Sequence, residues 1–160
     1  MSMDIHHDER VGREIFDGHA EERRGKSGET GCSSNMRIED VLKSEGLFVS
    51  TTVGISMWPM LRNRHDTIIV RSYAPASVAQ SGEERLAVGE VPLYRSNGRY
   101  VLHRIIGYWP DGAYRVRGDN TMRDEHVADD QVIGVLQEFY RGKRHVVCAE
   151  NRWYRRYWRC

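Results

Sequence analysis

Ser56 lies in the segment Gly54-Ile55-Ser56-Met57-Trp58-Pro59-Met60-Leu61, and His103 lies in the apolar run Tyr100-Val101-Leu102-His103-Arg104-Ile105-Ile106-Gly107. Asp119 belongs to the box Gly118-Asp119-Asn120, and Asp124 follows five residues later. A serine hydroxyl is a weak nucleophile at neutral pH. An adjacent imidazole that takes its proton, and a carboxylate that orients the imidazole, make it competent. Each residue also has a plainer role: Ser56 as a turn cap, His103 as a core histidine bonded to a backbone carbonyl, Asp119 as a turn-former. Their combination in one small domain predicts a serine peptidase.

The local sequence favours the chemical roles. Gly54 permits backbone geometry closed to other residues, and Pro59 restrains the chain beyond Ser56, so the hydroxyl can sit at a turn with its own N–H turned to an oxyanion. In a continuous strand His103 shares a face with Val101 and Ile105, and aliphatic neighbours favour the neutral, base-competent imidazole. Asp119 and Asp124 compete to orient it. Asp124 is preferred, because a structural role is natural for Asp119 in its tight turn. Asp129 and Asp130 read as solvated surface charge. No metal or other cofactor is expected: the loop from Asp119 to Asp124 lacks the EF-hand ligand pattern, and His6, His7, His19 and Cys32 match no metal spacing.

The Gly-x-Ser-Met-x-Pro-x-Leu box at Ser56, the strand carrying His103-Arg104-Ile105-Ile106-Gly107 and the Gly118-Asp119-Asn120 box resemble the signature boxes of signal peptidase I and its relatives, a clan that includes the self-cleaving LexA-like repressors. Histidine at 103, where bacterial signal peptidases carry lysine, resembles the Ser/His/Asp branch. The resemblance runs from about Ile38 to about Tyr140 and implies a compact, multi-stranded catalytic β-fold with a short N-terminal helix. It implies an acyl-enzyme mechanism and small side chains just before the cut. Two departures stand out: Gly54 replaces a serine whose hydroxyl donates to the oxyanion in many bacterial members, and Gly89-Glu90-Val91-Pro92 replaces a Gly-Asp segment. The first leaves the oxyanion to backbone donors, chiefly the Ser56 N–H, and predicts slow turnover.

The elements that must position these residues are mostly strands. The 160 residues suffice for one domain with a modest core. Residues 1–33 mix charge, His and Gly with few apolar side chains and read as disordered; 34–145 form the peptidase domain, and 146–160 a basic aromatic segment. Ser34 or Asn35 caps a helix carrying Ile38, Val41 and Leu42, which stops at Gly46. Strands follow over Leu47–Val53, Thr67–Ser72, Val91–Ser96, Tyr100–Gly107, Ala113–Arg117 and Gln131–Tyr140, with a polar loop over Tyr73–Glu84. Pro92 predicts an edge strand. If Asn151–Cys160 is helical, Arg152, Arg155, Arg156 and Arg159 fall opposite Trp153, Tyr154, Tyr157 and Trp158. Those aromatics then either pack on the β core, the preferred reading, or give peripheral membrane contact through Trp153, Tyr157 and Trp158.

A net charge of +1 gives no bias toward nucleic acid, and no helix-turn-helix unit precedes the catalytic region, so no nucleic-acid partner is expected. Cys32, Cys148 and Cys160 form no disulfide framework, and no stretch reads as a signal peptide or membrane span. A cytoplasmic, optionally membrane-peripheral protein is the resulting expectation. The leading reading is an endopeptidase acting on a leader or signal-like peptide or protein segment. The alternatives are a non-catalytic module that captures an extended peptide at a sheet edge, and a self-cleaving regulator that clips its own N-terminal segment.

Overall fold

The computed structural model describes residues 4–6, 37–75 and 85–159. In chain order the elements are β1 (Asp4–His6), α1 (Ile38–Glu45), β2 (Leu47–Val53), β3 (Asp66–Ser72), β4 (Pro92–Ser96), β5 (Arg99–Leu102), β6 (Arg104–Tyr108), β7 (Tyr114–Arg117) and β8 (Glu125–Val127). A 3-10 turn at Asp129–Gln131 leads into β9 (Val132–Arg141), then β10 (Arg144–Val147) and α2 (Arg152–Tyr157). The protein is mostly β. No helix among the described residues is long and apolar enough to cross a membrane.

Two antiparallel sheets divide the strands. The larger has the order β1-β2-β3-β9-β4-β5, with β10 also paired to β9. The smaller has the order β6-β7-β8. Strand β9 is the spine, because its ten residues pair with β3, β4 and β10. Its β-branched and aromatic side chains suit a position buried on both sides. Ile68, Val70, Leu93, Leu136 and Phe139 meet Ile38 and Leu42 of α1 in one core. Tyr94, Val101, Ile105, Tyr114, Val116 and Val132 form a second core, under the small sheet.

Several boundaries differ from the sequence expectation. The helix begins two or three residues later than an Asn35 or Ser34 cap implies: Arg37 is the cap residue, and its N–H donates to the Asp40 carboxylate at 3.3 Å. Pro92 does not mark an edge, since β4 lies between β9 and β5. Proline is tolerated there as the first residue of its strand. The expected strand from Tyr100 to Gly107 is two strands, broken at His103, and residues 101–105 are all buried. An alternating face therefore does not exist at His103, because the chain is crossing from one sheet to the other. Asp129 is not simply solvated: it accepts from the hydroxyls of Tyr73 at 2.8 Å and Tyr114 at 2.7 Å. Within the segment read as disordered, Asp4–His6 forms β1; the rest of 1–33, Cys32, Cys160 and the loop residues 76–84 lie outside the described residues. Cys148 is a free thiol, with burial first among the causes that raise its pKa to about 11.

In the C-terminal segment Arg152–Tyr157 is helical, and the segment packs on the fold. Tyr154 is buried, Tyr157 lies against the Arg104 guanidinium, and the Trp158 ring occupies the space a side chain at Gly89 would need. Trp153 is the exposed aromatic of this helix.

The turn between β2 and β3 is fixed from beneath. Met57, Met60 and Leu61 are fully buried in the larger core. Asp66, with no exposed surface, accepts from Arg141 Nη2 at 2.6 Å and from the Arg62 N–H at 3.0 Å. Arg141 Nη2 also donates to the Met60 carbonyl at 2.7 Å. One guanidinium thus ties the spine strand to the end of this turn. Replacing Arg141 with alanine strands a buried carboxylate with little more than one N–H to answer it. Such a change lowers stability by about 3 kcal/mol; urea unfolding should show a lower midpoint with an unchanged slope.

Candidate functional site

Ser56 is held in a turn whose two ends are pinned. Gly54 adopts φ 110°, a conformation that strains any residue with a Cβ, and its N–H donates to the Asn63 side-chain carbonyl at 3.0 Å. Beyond Ser56, the Trp58–Pro59 peptide is cis and Met57 and Met60 are anchored in the core. The serine itself is 1% exposed. Its Oγ is buried and makes no hydrogen bond among the described residues, and its backbone N–H also has no acceptor there.

His103 sits at the seam between the sheets, after β5 and before β6, with 2% of its surface exposed. Its Nδ1 lies 2.9 Å from Glu125 Oε1 and 3.1 Å from the Tyr94 hydroxyl. The Tyr94 hydroxyl in turn donates to Glu125 Oε2 at 3.0 Å. Burial, then the charge of Glu125, pushes the Tyr94 phenol far above its ordinary pKa, so it remains a donor. The hydrogen bond from His103 outweighs partial burial and holds the Glu125 carboxyl below its ordinary range, so it is an ionised acceptor. A carboxylate that only accepts requires Nδ1 to carry the hydrogen. In the neutral imidazole Nε2 then bears the lone pair, and this atom is buried without a hydrogen-bond partner.

Gly118 lies between the two residues that hold these unpartnered atoms. A Cβ built on it would stand 2.7 Å from the Ser56 carbonyl oxygen and 3.1 Å from both Cδ2 and Nε2 of His103. Only a residue without a side chain fits between the Ser56 turn and the imidazole. The next residues complete the clamp. The Asn120 N–H donates to the Ser56 carbonyl at 2.7 Å, and Asn120 Nδ2 donates to the Ile55 carbonyl at 3.1 Å. The three boxes singled out in the sequence thus meet through backbone contacts around Ser56 and His103.

The two aspartates have other partners. Asp119 receives Arg104 Nε and Nη2, each at 2.7 Å, in a pair whose side chains are 7% and 5% exposed. Arg104 Nη1 donates to the Gly89 carbonyl at 2.8 Å and the Tyr154 hydroxyl at 3.1 Å. Burial opposes the charge on Arg104, but Asp119 and Tyr154 hold its pKa above the ordinary value. Asp124 is paired with Arg115 and with Arg117. Neither aspartate is a partner of His103 among the described residues. The carboxylate in contact with the imidazole is Glu125, one residue beyond the preferred Asp124.

That displacement has a simple cause. Glu125 opens β8, where it pairs with Val116 while His126 pairs with Arg115 and Val127 with Tyr114. Opposed residues share a face, and Val116, Tyr114 and Val127 are buried. Glu125 therefore points inward. The three-residue strand was absent from the sequence expectation, so its alternation was never applied; Glu-His-Val with an apolar third residue was the available signal. Tyr94, buried and bonded to both His103 and Glu125, was also missed.

A cavity of about 490 Å3 borders Glu125, His103, Asn97, Thr121 and Arg123 on the carboxylate side of the imidazole. Ser56 does not line it, so it gives Glu125 contact with solvent and does not mark a space beside Ser56. No group of His, Cys, Asp and Glu among the described residues is arranged to hold a metal ion. Compared with models of known protein families and with curated proteins, the chain matches none.

Because the folded pKa of Glu125 lies below its ordinary value of 4.5, its stabilisation is complete above that value and is lost as pH falls through the lower, folded one. Urea unfolding of wild type and Glu125→Gln should show wild type more stable near neutrality. The gap should close as the medium becomes more acidic than the folded carboxyl. Asp119→Ala, which strands the buried Arg104, should cost about 3 kcal/mol at neutral pH. Asp124→Ala, which removes partly exposed pairs, should cost under about 1 kcal/mol.

Proposed function

We propose that the protein is a serine endopeptidase of signal-peptidase-like type, with Ser56 as nucleophile, His103 as general base and Glu125 as the carboxylate that orients it. The observation that carries this reading is that Ser56 and His103, which close on the same glycine through the serine carbonyl and the imidazole, each hold a buried polar atom without a partner, Oγ and Nε2. Burying a polar atom without a partner costs about 1–3 kcal/mol, and such sites in a stable fold invite a functional explanation. The fixed tautomer adds to it, since it turns the basic nitrogen away from Glu125.

In the proposed reaction Ser56 Oγ attacks the carbonyl carbon of the scissile peptide bond as its proton passes to His103 Nε2. The developing oxyanion takes the Ser56 N–H, and the imidazolium is stabilised by Glu125 through Nδ1–H. His103 then gives its proton to the departing amine, leaving an acyl ester on Ser56. Water, deprotonated by the same imidazole, hydrolyses that ester and restores the serine. With Gly54 in place of a hydroxyl donor the oxyanion relies on backbone N–H groups, which supports slow turnover.

The surface beside Ser56 favours an apolar peptide. Ile55 and Trp58 are half exposed, and Met122, two residues beyond the Asn120 clamp, is almost wholly exposed. These side chains suit a leader or signal-like segment better than a strongly charged one. The competing reading, a module that only captures peptides, needs neither a fixed tautomer nor an open Nε2.

The test is turnover of a peptide library by wild type and four variants whose folding is verified by circular dichroism. Ser56→Ala and His103→Ala should each lose activity by about 1000-fold or more, as expected for members of one catalytic unit. Glu125→Gln should fall severely while Asp124→Asn stays near wild type. Full activity in Glu125→Gln with loss in Asp124→Asn would refute the assignment of Glu125, and activity surviving in Ser56→Ala would refute the peptidase reading as a whole.

A further inference from the structure

Tyr94 lies on β4 with no exposed surface, and that strand is flanked by β9 and β5. Val101 of β5 and Val132 of β9 stand opposite it, both buried in the same core. Cross-strand neighbours of this kind pack on the ring from either side and leave it little room to move. The Tyr94 and His103 rings meet edge-on, with centroids 6.3 Å apart and planes at 62°. The phenol therefore meets the imidazole at its Nδ1 edge, where the hydroxyl lies 3.1 Å away, and does not cover its face.

The hydroxyl carries one hydrogen, and Glu125 Oε2 receives it at 3.0 Å. Its oxygen lone pairs are then what faces Nδ1. The Nδ1 hydrogen has two acceptors, Glu125 Oε1 at 2.9 Å and the Tyr94 oxygen. Imidazole, carboxylate and phenol thus close a ring of hydrogen bonds, and Glu125 is its loosest member. The Glu125 side chain is 29% exposed, whereas His103 and Tyr94 are buried. Arg123 and Asn97 border the cavity on its open side and offer donors there. A carboxylate bonded to the imidazole through one oxygen alone would turn toward those donors or toward water.

We propose that Tyr94 is a positioning residue for the reaction: by binding the second oxygen of Glu125 it keeps the first on His103 Nδ1, and so keeps the hydrogen on Nδ1 and the lone pair on Nε2. This role rests on the peptidase reading of Ser56 and His103 and adds to it the group that holds Glu125 in place. Tyr94 touches no substrate and gives up no proton. Burial, then the charge of Glu125, holds its phenol far above the ordinary pKa, so it stays a donor when Nε2 takes the Ser56 proton. The Nδ1–H becomes a stronger donor at that moment. Both of its acceptors already stand in place, so no group has to reorganise.

The test compares wild type, Tyr94→Phe, Glu125→Gln and the double variant as full chains. Tyr94→Phe keeps the ring that fills the core and removes one oxygen; near-ultraviolet circular dichroism checks the fold. The first readout is 15N NMR of the ring nitrogens at a pH where the imidazole is neutral, with the His103 signals identified by their absence in His103→Ala. The second is kcat and KM on a cleaved peptide. Wild type should carry the hydrogen on Nδ1 alone, and Tyr94→Phe should show a mixture of both tautomers. Tyr94→Phe should lower kcat about tenfold or more with KM within about twofold, and the same change in the Glu125→Gln background should cost less than about twofold, because both substitutions break one support. A wild-type spectrum with the hydrogen on Nε2 overturns the proposal without any variant. A single Nδ1–H tautomer in Tyr94→Phe overturns it, and so does an unchanged kcat. An equal loss in both backgrounds also overturns it, since Tyr94 would then act independently of Glu125. A mixture of tautomers in Tyr94→Phe with no turnover by wild type upholds the hold on Glu125 and refutes the peptidase reading instead.

Discussion

The buried imidazole of His103 is the constraint on which the rest of the site depends. An imidazole in an apolar seam must have its polar atoms answered, and the cost of failing is large relative to the net stability of a small domain. One side is fully answered, by Glu125 and Tyr94. The other side is left open beside a serine that is open as well. The Nδ1 proton is thereby held toward Glu125, which leaves Nε2 unpartnered on the side of Ser56. Each sheet supplies part of this arrangement: Tyr94 from β4, Glu125 from β8, and His103 from the crossing between them.

The two sheets must be locked together for such a seam to persist, and Arg104 does this next to the histidine. Its guanidinium joins Asp119 of the Gly118 box, the Gly89 carbonyl ahead of β4 and Tyr154 of the terminal helix. Asp119 therefore acts on the site through position and not through the imidazole. The Asp66–Arg141 pair does the corresponding work beneath the Ser56 turn, tying it to the spine strand. Both pairs combine a buried carboxylate with a guanidinium that also caps backbone carbonyls. That geometry answers polar groups which would otherwise be stranded.

Much of this was legible from residue types. The mostly β character, the strands Leu47–Val53 and Thr67–Ser72 and the helix stopping at Gly46 follow from period and turn chemistry, and the structure contains them within a residue or so. Ser56, His103 and Gly118 were singled out as boxes, and they converge in space. What sequence could not supply was which side of a three-residue strand faces in, and that decided between neighbouring carboxylates. Asp124 and Glu125 differ by one position, and a shift of one residue in a strand exchanges core for surface. The break at His103 was hidden for a related reason: the aliphatic residues on both sides of His103-Arg104 continue a strand pattern, but a chain buried on every side while changing sheets shows no alternation. Strand β1 was hidden because three residues among charged neighbours carry no period, and it is their pairing with β2 that places them.

The central claim is that Ser56, His103 and Glu125 act as one unit. Its most direct test is a crystal structure of the protein after reaction with a serine-directed phosphonate. The predicted result is phosphorus bonded to Ser56 Oγ, with His103 Nε2 within hydrogen-bond reach of that oxygen and Glu125 still on Nδ1. An unmodified Ser56, or an imidazole that has left Glu125 for Asp119 or Asp124, would contradict it.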